Sequence, residues 1–274
     1  GSATLKTSDG QDHVYYYRVP ATAPPAAGSP VLFWLHGDGG TGDGYGAGFY
    51  SNTDPDAAIL LTPSGINKTW THAADDVAGL PQDSQFISLI LDKIIAEGVA
   101  CAKVNPKRIY LGGESRGAYM PYYFLQRAST RDRLAAVTVN AGLIECVAGD
   151  ASCDAGGARA DLHSVKTPIL HLHGTNDTSV SPPPLPTFTG GGEDWRVFYP
   201  MNLWSRNNGC FDGNAGGKNN GVLLETFSVS GHTARRYNLS AWAASCSKYE
   251  LLLVDNGGHV INGQESRIWN FLKG

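Results

Sequence analysis

Short, continuous apolar runs, each stopped by a loop almost without side-chain bulk, constrain this chain more than any other feature. Val31-Leu32-Phe33-Trp34-Leu35 ends at His36-Gly37-Asp38-Gly39-Gly40, and Ala57-Ala58-Ile59-Leu60-Leu61 ends at Thr62-Pro63-Ser64-Gly65. Ile169-Leu170-His171-Leu172-His173 ends at Gly174-Thr175-Asn176-Asp177. A strand with one face in water alternates apolar and polar residues, so a run that is apolar throughout predicts a strand covered on both faces. From Phe86 to Ala96, Phe86, Ile87, Ile90, Leu91, Ile94 and Ile95 recur at helical spacing. Further strands are expected at 14–19, 108–111, 135–139 and 251–254, with a closing helix around 268–272. Strands alternating with helices predict an α/β fold, a mostly parallel central sheet with helices on both faces. The 274 residues suit a single domain, 1–274, carrying a loop-rich insertion around 181–220. Pro182-Pro183-Pro184, Gly190-Gly191-Gly192 and Asn207-Asn208-Gly209 punctuate that insertion.

In such sheets ligands meet the loops at the carboxyl ends of the strands, and the reactive residue types gather there. Gly113-Glu114-Ser115-Arg116-Gly117 joins the strand Arg108-Ile109-Tyr110-Leu111 to an apolar helical segment, 118–125. The pentapeptide alone is a weak signal; its place between strand and helix gives it meaning. A serine on a tight strand-to-helix turn is driven into sparsely populated backbone space, so small residues are needed two positions to either side. Its hydroxyl then stands at the positive end of a helix.

A hydroxyl attacks a carbonyl only once a base takes its proton, and the imidazolium so formed needs a carboxylate partner. His259 follows Gly257-Gly258, beyond the last strong strand, and Asp177 lies just past the strand 169–173. Ser115, Asp177 and His259 are the candidate catalytic residues, with Asp255 as a rival acid close to His259 in sequence. Oxyanion donors are expected from the Arg116 N–H and from the loop 36–40, at Asp38 or Gly39, where the main chain can approach a substrate. Trp70 is a candidate substrate-binding residue that would stack on an acyl group or sugar face; its alternative role is to fill the core. Gly39 is a second candidate substrate-binding position. His36 is expected to brace its loop. His13, His163 and His232 lie in polar segments and are expected at the surface.

Composition excludes several classes. A net charge of −4 and the lack of any Lys/Arg run argue against nucleic acid. No apolar run is long enough to span a bilayer. The Gly-rich loop 36–40 lacks the Lys-Ser/Thr of a phosphate-binding loop. His171 and His173 share one strand face, a spacing that can hold a metal, but no third ligand is evident, so no metal and no cofactor are expected. Charged residues make up 17% of the chain, against about 25% in an average protein, as in many extracellular enzymes. Five cysteines fit the same setting. Cys146 and Cys153 flank a small-residue loop where a local disulfide would sit, and a Cys210–Cys246 bridge would close the Gly/Asn-rich excursion, leaving Cys101 as a buried thiol at a helix end. A secreted monomer is the expectation.

The chain resembles the α/β-hydrolase superfamily and, within it, the polyhydroxybutyrate depolymerase and feruloyl/acetylxylan esterase group. The resemblance spans nearly the whole chain and rests on Leu35-His36-Gly37, the turn around Ser115, His173-Gly174 followed by Asp177, and Gly257-Gly258-His259. The spacing of Asn208-Gly209-Cys210 and Cys246 is similar to that group's disulfide. The resemblance implies the α/β-hydrolase fold, a Ser115–His259–Asp177 triad and oxyanion donors at Asp38 and Arg116. It implies ester hydrolysis, with feruloyl or acetyl esters of plant polysaccharides as substrate and polyester depolymerisation as the alternative. A serine peptidase and a non-catalytic binding protein are further readings. Two positions depart from the group: Val260 follows His259 where an aromatic residue is frequent, and bulky Arg116 follows the serine.

Overall fold

The computed structural model describes residues 1–8, 10–71, 82–125, 128–143, 167–180, 222–238 and 247–274. Their strands form one ten-stranded sheet in the order β1-β2-β4-β3-β5-β6-β7-β10-β9-β8. The strands are β1 (Ser2–Lys6), β2 (Asp12–Arg18), β3 (Ser29–Leu35), β4 (Ile59–Pro63), β5 (Val104–Glu114), β6 (Ala136–Asn140), β7 (Ile169–Gly174), β8 (Val222–Val229), β9 (His232–Asn238) and β10 (Tyr249–Val254). The central strands from β4 to β10 run parallel. Antiparallel pairs close the two edges, β1 and β2 on one side and β9 and β8 on the other. The mostly parallel sheet is as expected from the alternation of apolar runs and helices, and the fold is the α/β-hydrolase fold that the resemblance implies.

Residues of β3 show why those runs are apolar throughout. Val31, Phe33 and Leu35 enter one core cluster, while Leu32 and Trp34 enter the other. The helix Gln82–Glu97 brings Phe86, Ile87, Ile90, Leu91 and Ile94 to the first cluster, joined by Met120, Tyr122 and Phe124 from the helix Tyr119–Leu125. The helix Glu265–Lys273 brings Ile268, Trp269, Phe271 and Leu272 to the second. Each large apolar side chain removed from water on either face contributes about 1.5–3 kcal/mol. Among the described residues no helix is long and apolar enough to cross a membrane.

After β3 the chain moves to β4 on one side, then returns to β5 on the other. The strand order thus reverses between β3 and β5, and the carboxyl ends of the strands at such a reversal are the general ligand position in these sheets.

Four expectations change. His13 is buried, not exposed, because it shares the inward face of β2 with Tyr15; its Nε2 lies 3.0 Å from the Thr7 hydroxyl and its ring packs on Phe86. The strand expected at 57–61 begins two residues later, since Ala57 adopts a left-handed conformation that ends the preceding turn. The hairpin β8–β9 also joins the sheet, although its one apolar run, Val222-Leu223-Leu224, is exposed rather than covered on both faces. The insertion 181–220, His163 and the cysteines 146, 153, 210 and 246 lie outside the described residues; Cys101, expected to be buried, is an exposed free thiol because it sits at the tip of the tight turn that Val99 and Ala102 close.

Candidate active site

β5 runs into a 3₁₀ turn, Ser115–Ala118, and then into the helix Tyr119–Leu125. Ser115 takes φ 52°, a left-handed conformation that costs a non-glycine residue roughly 1–2 kcal/mol. The flanking glycines make the turn possible. A Cβ on Gly113 would stand 2.7 Å from the Gly117 carbonyl oxygen, and one on Gly117 would stand 2.5 Å from the carbonyl oxygen of His36. The serine turn and the loop after β3 are thus packed backbone against backbone.

Two other loops meet this turn because β7 and β10 are parallel neighbours. They are laced together: the Asn176 N–H donates to the Gly257 carbonyl at 2.9 Å, and the Asn256 N–H to the Thr175 hydroxyl at 2.8 Å. The lacing brings Ser115, His259 and Asp177 into one chain of hydrogen bonds. His259 Nε2 lies 2.7 Å from Ser115 Oγ, and His259 Nδ1 lies 2.7 Å from Asp177 Oδ2. A carboxylate can only accept, so Nδ1 carries the proton and Nε2 offers its lone pair to the serine O–H. The other oxygen, Oδ1, accepts the N–H groups of Ser179 at 2.8 Å and Val180 at 2.9 Å. Burial pushes the Asp177 carboxyl up, but the bonds from His259, Val180 and Ser179 outweigh it and hold the group below the ordinary carboxylate range. Asp255 does not reach His259; its carboxylate pairs with Arg235 at 2.7 Å.

The loop after β3 shows which main-chain donor is left for a substrate. The Gly37 N–H donates to the Tyr45 hydroxyl at 3.1 Å, the Gly39 N–H to the Lys68 carbonyl at 2.7 Å, and the Gly40 N–H to the Gly37 carbonyl at 3.1 Å. Among the described residues no hydrogen bond engages the Asp38 N–H. Asp38 and Arg116 both line a cleft of about 580 Å³ with Ser115, Tyr119, Val180 and His259. Gly39 is exposed but not part of that lining; its N–H already has a partner, so it offers neither an oxyanion donor nor a cleft wall.

Trp70 is also reassigned. It is fully buried, its indole N–H donates to the His36 carbonyl at 2.8 Å, and its ring lies against the His36 ring. No face of the indole is left for an acyl group or a sugar. Both residues hold the loop, as expected of His36: its Nδ1–H donates to the Gly37 carbonyl at 2.7 Å and its Nε2 accepts the Gly65 N–H at 3.0 Å. Burial keeps this imidazole neutral by lowering its pKa.

Three supporting residues escaped the sequence reading. Tyr45 donates to the Glu114 carboxylate beside Ser115, and burial, the dominant effect there, raises the Glu114 carboxyl above its ordinary range. Asn140, at the end of β6, bonds both ways with Ile261, accepting its N–H at 2.9 Å and donating to its carbonyl at 3.0 Å, which anchors the His259 loop. Buried Asp83 accepts the Thr71 N–H at 2.7 Å and its hydroxyl at 2.9 Å, fixing the segment that carries Trp70. The signal available for Asn140 and Asp83 was a polar residue at an otherwise buried position. Val260, next to His259 and lining the cleft, holds φ 59°, an outlier for a β-branched residue. Among the described residues no three His, Cys, Asp or Glu side chains are placed to hold a metal ion.

No family model matches the chain. Over 177 residues it is 27% identical to a bifunctional acetylxylan esterase/xylanase of Neocallimastix patriciarum, a match covering 61% of this chain and 22% of that protein. The chain therefore spans about a fifth of the length of that curated relative. Among solved structures it is similar to an acetyl xylan esterase from Aspergillus awamori, with a TM-score of 0.60, 16% identity and 99% of each chain covered. It is also similar to an esterase from Thermogutta terrifontis, with a TM-score of 0.55, 13% identity and coverage of 100% of this chain and 90% of that one. A dipeptidyl aminopeptidase IV-like structure from Bacteroides ovatus shares the fold at a TM-score of 0.60 and 13% identity, covering 100% of this chain and 34% of its own. Identities this low establish the fold and leave the chemistry to the site.

Proposed function

We propose that this protein is a serine carboxylic-ester hydrolase acting on small acyl esters, acetyl above all, carried by a plant polysaccharide. The observation that carries the reading is the pair of 2.7 Å contacts linking Ser115, His259 and Asp177 from three loops of one sheet edge. His259 takes the Ser115 proton as Oγ attacks the ester carbonyl, and Asp177 stabilises the imidazolium. The Asp38 and Arg116 N–H groups hold the oxyanion. The imidazolium returns its proton to the leaving alcohol, leaving an acyl-Ser115. Water, deprotonated by the same imidazole, then releases the acid.

Two observations favour a small acyl group. Trp70, the aromatic residue that would have favoured feruloyl stacking, is buried, and the similar proteins named above include two acetylxylan esterases. The test compares the native protein with Ser115→Ala on p-nitrophenyl acetate, then the native protein on acetylated xylan, methyl ferulate, hydroxybutyrate oligomers and a peptide p-nitroanilide. Ser115→Ala should lose on the order of 10⁴–10⁶ in kcat. Equal rates would remove the serine from the mechanism. Preference for ferulate, polyester or amide would keep the mechanism and replace the substrate.

A further inference from the structure

Behind Asp177 the core holds three polar side chains that the hydrolytic steps do not use. His171 and His173, both fully buried, project from the same face of β7, and Tyr122 reaches them from the helix Tyr119–Leu125. His173 Nε2 lies 2.9 Å from the Val180 carbonyl oxygen and 3.3 Å from Asp177 Oδ2. His173 Nδ1 lies 3.1 Å from His171 Nε2, and His171 Nδ1 lies 2.8 Å from the Tyr122 hydroxyl. The two imidazole planes lie within 13° of each other.

One arrangement of protons satisfies every contact. A carbonyl and a carboxylate only accept, so His173 Nε2 must carry a proton. A neutral His173 then presents a bare Nδ1, which requires His171 to donate from Nε2. His171 Nδ1 is bare in turn, and the Tyr122 O–H fills it. Burial lowers the pKa of both histidines and keeps them neutral. Every ring lone pair thereby has a donor, which leaves none for a metal ion. The far end of the chain grips the acid's own loop. Val180 gives its N–H to Asp177 Oδ1 while its carbonyl is held by His173, and the same His173 N–H faces Oδ2.

We propose that His173, backed by His171 and Tyr122, is a positioning residue that fixes the Asp177 carboxylate in the plane His259 needs, extending the hydrogen-bonded relay from the cleft into the core. This rests on the reading of Ser115, His259 and Asp177 as the catalytic set. A carboxylate free to rotate would bond the imidazolium less well and so stabilise the transition state less, without altering the cleft where substrate sits.

The test measures kcat, KM and the pH–rate profile on p-nitrophenyl acetate for His173→Leu, His173→Gln and Tyr122→Phe, beside Ser115→Ala. His173→Leu should lower kcat on the order of 10–100-fold, the scale set by outer partners of functional ligands, with KM unchanged. The acid limb of its profile should move to lower pH, because a less well aligned carboxylate favours the imidazolium less. His173→Gln, whose amide N–H can reach the Nε2 position, should recover most of the rate. Tyr122→Phe, which keeps the ring and removes the donor to His171 Nδ1, should shift the limb in the same direction by less. A folded His173→Leu with native kcat and limb overturns the proposal. If His173→Leu does not fold, a native limb in Tyr122→Phe overturns it. An active Ser115→Ala would instead sink the hydrolase reading itself, so the two failures are distinct.

Discussion

Two clusters of ionisable side chains in this molecule use similar residues to different ends. The first runs through Asp177 from His259 at the cleft to His173 in the core, and each polar atom has one assigned direction of donation. The second lies where β8, β9 and β10 meet the helix Glu265–Lys273. There Glu225 bridges Arg236 at 2.9 Å and Arg267 at 2.5 Å, and Glu250 faces Arg236 at 3.4 Å and Lys248 at 3.8 Å. The guanidinium of Arg267 also covers the Phe227 ring at 3.8 Å. About a third of the Arg236, Arg267 and Glu225 side-chain surface stays open to water, so the Glu225 pairs can be replaced by solvent, while Glu250 is the buried exception in this cluster. Burial makes the difference: it removes alternatives, and with them gone a hydrogen bond fixes a position.

The contrast can be broken first at the acid. Asp177→Asn should lower kcat by on the order of 10⁴ with little change in KM, because an amide can donate to His259 and stabilise the wrong tautomer. Asp255→Asn should leave kcat at the native value. A dead Asp255→Asn beside an active Asp177→Asn would reverse the assignment.

Acid sensitivity sharpens it next. His171 and His173 have folded pKa values below their unfolded value near 6.5, so below that pH the unfolded chain binds more protons and stability falls as pH falls. The slope approaches about 1.4 kcal/mol per pH unit for each buried histidine. Glu114 and Asp83, with folded carboxyls raised by burial, act with the opposite sign at lower pH, so the histidine slope is clearest just below neutrality. Asp177, held low, loses its contribution only as pH falls through its folded value. Denaturant midpoints taken between pH 7.5 and 5.5 should show this slope, reduced in His171→Phe. An unchanged slope in that variant would mean that His171 is not buried neutral.

A smaller effect is expected where the loop meets the serine turn. Tyr45→Phe strands the Gly37 N–H and removes the donor to Glu114, and an unpaired buried polar group costs about 1–3 kcal/mol. Denaturation midpoints would detect this, and a native value would contradict it. Smallest of all, Arg267→Ala at the exposed cluster should change stability by no more than about 1 kcal/mol, a difference that shrinks further in high salt.

The residues of the proposed catalytic set are legible because glycines mark them. Gly113 and Gly117 bracket Ser115, and Gly257-Gly258 precede His259, since each must let backbone pass close to backbone. The sheet was legible where strands are covered on both faces, as in β3. It was not where strands carry charge, as in β9, whose adjacent Arg235 and Arg236 point to opposite faces. His13 was misread for neglect of alternation, since its position two residues before Tyr15 put it on the inward face. Trp70 was misread because an aromatic residue after a turn does not reveal which way it faces. The pairing of His173 with the loop of Asp177 depends on how 174–180 folds back, and no spacing encodes that.

Covalent trapping tests the central claim most directly. The native protein, incubated with a fluorophosphonate that phosphonylates activated serines, should gain one adduct mass, mapped by peptide mass spectrometry to Ser115, and His259→Ala should label far more slowly. An unlabelled native protein, or an adduct on any other residue, would contradict the account.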